Sequence, residues 1–240
     1  MPTTRLTLVL PCLNEESAVG TCVARAHRLF HTTGLDGTVL VVDNGSTDCS
    51  AELAKEAGAR VVTEETRGYG AALRTGIEEA ETGLVVIADA DGTYELEAIP
   101  RLIEPVTRNE ADVVIGSRLR NIGDGAMPWL HRYVGTPVVS MLVNRAAGKK
   151  FKVRDTQSGF RAFRRDQIID LGLTSTGMEY ASEMLIRSAR ACYRVLELPT
   201  TYSPRIGASK FDTFADGIRH VHEIFLLSRE LRASSPRAKS

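Results

Sequence analysis

The sequence predicts an α/β fold: a single domain with a mostly parallel central sheet and helices on both faces. Two observations carry this. Short apolar, β-branched runs recur at intervals filled by segments of helical period, the pattern of right-handed strand-helix-strand units. The runs at 6–10 (LTLVL), 38–42 (TVLVV) and 84–88 (LVVIA) are apolar at nearly every position rather than alternating, as in strands buried on both faces, and each opens into a polar turn. In an open α/β sheet, ligands collect at such strand ends.

In chain order, the first strand ends at Pro11 and opens into PCLNEES. Val19, Val23, Ala26 and Phe30 then recur at helical spacing, predicting a helix over 15–31 with Asn14 or Ser17 as cap. The second strand ends in Asp43-Asn44-Gly45-Ser46-Thr47-Asp48, a turn that starts a helix at 50–57, stopped at Gly58. A short strand at 59–63 precedes RGYGAALRTG, which starts a helix running to about 81. After the strand at 84–88, a helix is expected at 95–106, a strand at 112–116, a polar loop at 120–126 and an apolar-rich helix at 128–147. A turn and short strand over 154–165, an amphipathic helix at 176–191, a strand at 195–198, a loop at 201–210 and a last amphipathic helix at 211–230 complete the chain.

Composition narrows the function. Of 240 residues, 30 are basic and 30 acidic, so the basic footprint of a nucleic-acid partner is missing. Cys12, Cys22, Cys49 and Cys192 form no CxxC pair, which points away from a zinc site or disulfide framework and fits a reducing cytoplasm. No apolar run approaches the roughly 18 residues of a membrane span, so the expectation is a cytoplasmic protein with, at most, a peripheral contact at the inner face of the membrane.

The most informative stretch is LVVIADADGTY. Asp89 and Asp91, one residue apart at a strand end, repel each other, and a divalent cation relieves that most simply; hard oxygen ligands suit Mg²⁺ or Mn²⁺. The alternative is that one caps the following helix and the other is solvated. Gly68 and Gly70 before a helix either offer N–H groups to a phosphate or serve the backbone alone; Leu73 in place of a third glycine rules out a dinucleotide fingerprint. His27 and His31, four apart, lack an acidic or Cys partner and read as a surface helical face.

Taken together and in order, PCLNEE, VVDNGSTD, ADADGTY, GSR, DTQSGFRAFRR, GMEYASEM and YSPRIGASK resemble the family 2 glycosyltransferases of GT-A fold. More narrowly they are similar to the branch of dolichol-phosphate mannose synthases and polyprenyl-phosphate glucosyltransferases. The resemblance implies a nucleotide-binding half over 1–117 and an acceptor-binding half over 118–230; composition makes 231–240 a basic tail expected to be disordered. The resemblance also implies an inverting transfer of a hexose from GDP-mannose or UDP-glucose to a polyprenyl or dolichyl phosphate. Pro11, Leu13, Asn14, Glu15 and Asp43 would hold the nucleoside, with Gly68 and Gly70 nearby. Asp89 would lie near the ribose or the ion, and Asp91 would ligate the ion at the diphosphate. Thr93 stands where relatives often carry Gln.

Arg118, Arg132 and Thr136 would lie on the acceptor side, with Arg205 and Lys210 closing over phosphates, since guanidinium groups bind phosphate bidentately. A phosphate acceptor is already anionic and requires no base. A soluble hydroxyl acceptor, the alternative, requires one, and Asp155, Glu179 and Glu183 are its candidates. The last helix, with Phe211, Phe214, Ile218, Val221, Phe225 and Leu226, either packs on the domain or rests on an anionic membrane. Strand plus DADGT is also similar to the first motif of haloacid-dehalogenase-type phosphatases. Here, however, three strand-helix units precede it, and Gly123-Asp124-Gly125 lacks an apolar strand before it. A non-catalytic nucleotide-sugar sensor would bind donor without turnover.

Overall fold

The computed structural model describes residues 5–148, 150–207 and 224–226. Seven strands form one sheet in the order β3-β2-β1-β4-β6-β5-β7. Those named in the order are β1 (Arg5–Cys12), β2 (Asp36–Asp43), β3 (Arg60–Thr63), β4 (Leu84–Ile87), β5 (Val113–Ile122), β6 (Arg161–Arg164) and β7 (Val195–Tyr202). All neighbours pair parallel except β6, which runs antiparallel between β4 and β5.

Unbroken apolar runs follow from burial on both faces. Along β1, Leu6, Leu8 and Leu10 enter one core, packed with Phe30 and Leu102, while Val9 enters the other, with Leu73 and Tyr180. Leu84 and Val86 of β4 divide from Val85 and Ile87 in the same way. The helices are α1 (Val19–Thr33), α2 (Ser50–Glu56), α3 (Tyr69–Glu78), α4 (Ile99–Thr107), α5 (Thr136–Ala147), α6 (Arg165–Asp170) and α7 (Tyr180–Arg190). Their order around the sheet puts a switch point between β1 and β4, from which the chain leaves in opposite directions.

Several elements differ from expectation. Helix α1 begins at Val19, not 15, because Asn14 adopts a left-handed φ of 53° and residues 15–18 turn instead. Before α4, residues Leu96–Ala98 form a 3-10 turn; α4 then carries Pro100 in its first turn and Pro105 inside. Strand β5 runs to Ile122, past the expected end at 116 and into the first three residues of the expected loop, because β7 offers an edge to pair with as far as Tyr202. The helix expected over 128–147 contains a π-turn at His131–Gly135. Helix α7 starts at Tyr180, and the short α6 was not anticipated. Lys210, most of the last helix and the 231–240 tail lie outside the described residues; of that helix, 224–226 are helical and Ile224 is buried.

Candidate active site

At the switch point a cavity of about 270 Å³ opens between the β1 and β4 ends. It is lined by Pro11, Leu13 and Glu15 after β1, by Asn44 after β2, by Arg67 and Tyr69 at the start of α3, by Asp89 and Asp91 after β4, and by Met178 and Arg205 from later in the chain. The walls are pinned by side chains bonding across loops. Asn14 Oδ1 accepts the Thr47 N–H at 2.7 Å, and the Glu15 N–H donates to Ser50 Oγ at 2.7 Å. Asn44 donates Nδ2 to the Glu64 and Thr66 carbonyls at 2.9 and 2.8 Å and accepts the Gly68 N–H at 2.7 Å. Its full bonding makes Asn44 the residue that ties the β2 turn to the start of α3. Asp43 is buried behind it, with Oδ1 accepting the Ser46 N–H at 3.1 Å.

The two aspartates occupy different environments. Asp91 is buried, its Oδ1 fixed by the Thr93 hydroxyl at 2.7 Å and N–H at 3.1 Å, while Oδ2 faces Arg205 Nη1 at 3.6 Å. Thr93 therefore orients Asp91. Asp89 is half-buried and accepts from the Tyr69 hydroxyl at 3.0 Å. Burial and the neighbouring Asp91 push the Asp89 carboxyl up to about 7, opposed by the Tyr69 bond and by Arg118 and Arg205. Burial and Asp89 likewise push the Tyr69 phenol up, keeping it a donor. Arg205 ion-pairs with Glu15 as well, so a late loop is drawn against the first one. Gly159 is required here: a Cβ would stand 2.5 Å from the Tyr69 hydroxyl and 3.0 Å from Asp89 Oδ1.

Gly68 departs from the phosphate-cradle expectation, and both glycines have the backbone role that was its alternative. The Gly68 N–H is given to Asn44, and the Ala71 N–H donates to the Thr176 carbonyl at 3.0 Å. Gly68 has φ +139°, and a Cβ there would run into Thr176 O, while one at Gly70 would lie 2.6 Å from Ser175 O. Close backbone approach explains both glycines.

Two of the three candidate bases are spent elsewhere. Asp155, fully buried, holds Arg118 bidentately at 2.9 and 2.7 Å and accepts its N–H at 2.8 Å. Glu183, also fully buried, accepts from the Thr174 and Ser175 N–H groups and pairs with Arg187 at 2.7 Å. A carboxylate so engaged cannot turn to a substrate. Glu179 sits in the turn before α7 beside the cavity-lining Met178, with Oε1 accepting the Gly177 N–H at 2.7 Å. Of the residues expected at an acceptor, Arg118 lies over the Tyr202 ring at 5.4 Å and Arg132 over Tyr133 at 5.3 Å, neither lining the cavity; Thr136 is buried in the first turn of α5.

Sequence reasoning missed Arg67, Tyr69 and Met178 as cavity residues. Tyr69 carried a signal, an aromatic between two glycines at a helix start; Arg67 and Met178 become site residues only through the approach of distant loops.

A mostly parallel sheet with an acidic pair at its switch point is the arrangement of the GT-A glycosyltransferases. The fold superposes on glucosyl-3-phosphoglycerate synthase from Mycobacterium tuberculosis, solved with Mn²⁺, uridine diphosphate and glucosyl-3-phosphoglycerate. That match has a TM-score of 0.71 at 21% identity over 99% of this chain and 82% of that one. Residues 7–172 match the model of glycosyl transferase family 2, and the chain belongs to that family. It is 38% identical over 90% of its length to the low-salt glycan biosynthesis hexosyltransferase Agl6 of Haloferax volcanii, of which it spans 52%. It is 36% identical to the dolichyl-phosphate hexose transferase of the same organism, over 88% of this chain and 89% of that one. The phosphatase reading is thereby overturned.

Proposed function

We propose that the protein transfers a hexose from a nucleoside-diphosphate sugar to a polyprenyl phosphate. The observation that carries this is the state of the carboxylates: Asp155 and Glu183 are committed to Arg118 and Arg187, which favours an acceptor that needs no base. The name of the dolichyl-phosphate hexose transferase, matched along nearly its full length, points the same way.

Asp89 and Asp91 suit a divalent cation: two hard oxygen donors, one with its carboxyl pushed up to about 7 by burial and by the neighbouring carboxylate. The described residues contain no cluster of three or more His, Cys, Asp or Glu, so phosphate oxygens and water would complete the shell. When bound, Mg²⁺ or Mn²⁺ would neutralise charge on the departing diphosphate. The chain's own residues do the rest. Thr93 holds Asp91 in one orientation, and the loops pinned by Asn14 and Asn44 shape the nucleoside pocket. Arg205 exchanges Glu15 and Asp91 for donor phosphate, and Arg118, steadied by Asp155, faces the acceptor anion.

The test is transfer from labelled UDP- and GDP-hexoses to a short polyprenyl phosphate with Mg²⁺ or Mn²⁺. Lipid-linked product from one donor is expected. A second reading, a soluble hydroxyl acceptor, draws on Glu179, whose turn borders the cavity. Donor hydrolysis without lipid product, together with loss of that activity in Glu179→Gln, would favour it.

A further inference from the structure

The helical segment after β5 is built inside out. Along α5 it buries Thr136, Ser140 and Val143, two of them hydroxyl side chains. Trp129, Leu130, Tyr133, Val134, Val138 and Met141 are exposed instead, from 41% for Val138 to 69% for Trp129. They are six of the eleven large exposed apolar side chains among the described residues, and spacings of three and four residues gather them on one side. A contiguous apolar stripe of this kind marks an interaction surface. Trp129 and Tyr133, with ring centroids 5.8 Å apart, are the residue types that favour a membrane-water boundary.

Charge selects the partner. In a chain of zero net charge, residues 125–154 contain no Asp or Glu but six cations: Arg132, Arg145, Lys149, Lys150, Lys152 and Arg154. Of these, Arg145, Lys150, Lys152 and Arg154 are exposed. A protein partner could cover the stripe without cations of one sign around it; an anionic lipid surface uses both features. The segment is also tied to the acceptor side. Ser140 Oγ meets Thr156 Oγ1 at 3.0 Å, and Asn144 bonds both the N–H and carbonyl of Val153, flanking the Asp155 that holds Arg118.

We propose that the exposed face of residues 129–141 docks on an anionic bilayer, placing Arg118 and Arg132 toward the headgroups from which an acceptor phosphate is taken. The proposal rests on the polyprenyl-phosphate reading and names the surface that serves it. The last helix, which the sequence left open between packing on the domain and resting on a membrane, lies mostly outside the described residues.

Trp129 is the single tryptophan of the chain, so its fluorescence reports on this face alone. In the full-length protein it should emit as a water-exposed indole. Phosphatidylcholine vesicles containing phosphatidylglycerol should shift the emission to the blue and, with brominated lipid, quench it; pure phosphatidylcholine should do neither. Leu130→Ser with Met141→Ser should weaken vesicle binding about tenfold or more without changing the melting temperature, as expected when exposed apolar anchors are removed. Arg145→Glu with Lys150→Glu should abolish the preference for phosphatidylglycerol. Emission that is already blue and unmoved by vesicles would mean that the face is covered by C-terminal residues or a second copy, and would overturn the proposal, as would equal binding to neutral vesicles. Transfer to polyprenyl phosphate in detergent, without vesicles, is measured separately. Transfer with no vesicle response sinks the surface alone; a vesicle response with no transfer sinks the acceptor reading alone.

Discussion

Around β1 and β4, polar groups at the strand ends are bonded across loops: Asn14 to Thr47, Asn44 to Gly68, Thr93 to Asp91, Tyr69 to Asp89. Beyond β5 the buried carboxylates are spent in ion pairs, Asp155 with Arg118 and Glu183 with Arg187, and the helical segment after β5 turns Trp129 and Met141 to water. The first region is a cradle whose shape exists before the ligand, which lowers the ordering cost of binding a small polar donor. The second leaves large apolar side chains in water. On the function proposed above, donor recognition rests on rigid geometry and acceptor recognition on a surface completed from outside.

The largest test of that contrast is Asp91→Ala. It should lower kcat/KM for transfer by about a thousandfold, the scale of losing a principal electrostatic contact at the leaving group, while the melting temperature holds or rises as carboxylate repulsion is relieved. Near-normal turnover would remove the acidic pair from the chemistry. Next comes Glu183→Gln, which should cost stability rather than activity: breaking a buried ion pair from one side costs about 3 kcal/mol, read as a lower unfolding midpoint with kcat retained at low temperature. Lost kcat in a protein of normal stability would return Glu183 to the list of bases.

Thr93→Val keeps the shape but deletes the hydroxyl on Asp91. A loss of about 1 kcal/mol, or roughly five- to tenfold in kcat/KM, is expected, and an unchanged value would make Thr93 a packing residue only. The smallest effect is on pH. Because the folded Asp89 carboxyl stands near 7, above its ordinary 3.8, its contribution to the stability of the metal-free protein is present below about 4 and is lost as pH rises through 7. Mn²⁺ binding should correspondingly tighten as pH rises toward 7 and release protons, which calorimetry in buffers of different ionisation enthalpy would detect. A flat profile would show Asp89 already charged.

Much of this was legible in the sequence because it depends on neighbours along the chain. Apolar runs closed by Asp43 or by Asp89 and Asp91 identify buried parallel strands and the end at which they bind. The family followed from seven short motifs in order. Periodicity failed where a residue found a distant partner: the cap expected of Asn14 gave way to its bond with Thr47, and the strand expected to end at 116 ran on to Ile122 because β7 lay beside it.

By itself, then, the sequence determined the fold class, the strand ends and the acidic pair, since hydrophobic period and turn chemistry act over a few residues. Only the tertiary structure decided which charges are free to work. Glu183 and Asp155 carry the same carboxylate as Asp91, but burial makes an unpaired charge too costly, so each was taken by the nearest cation the fold supplied, Arg187 and Arg118. Likewise Trp129 and Val143 belong to one apolar helical stretch, and only the position of α7 and residues 151–156 settles that Val143 is covered and Trp129 is not.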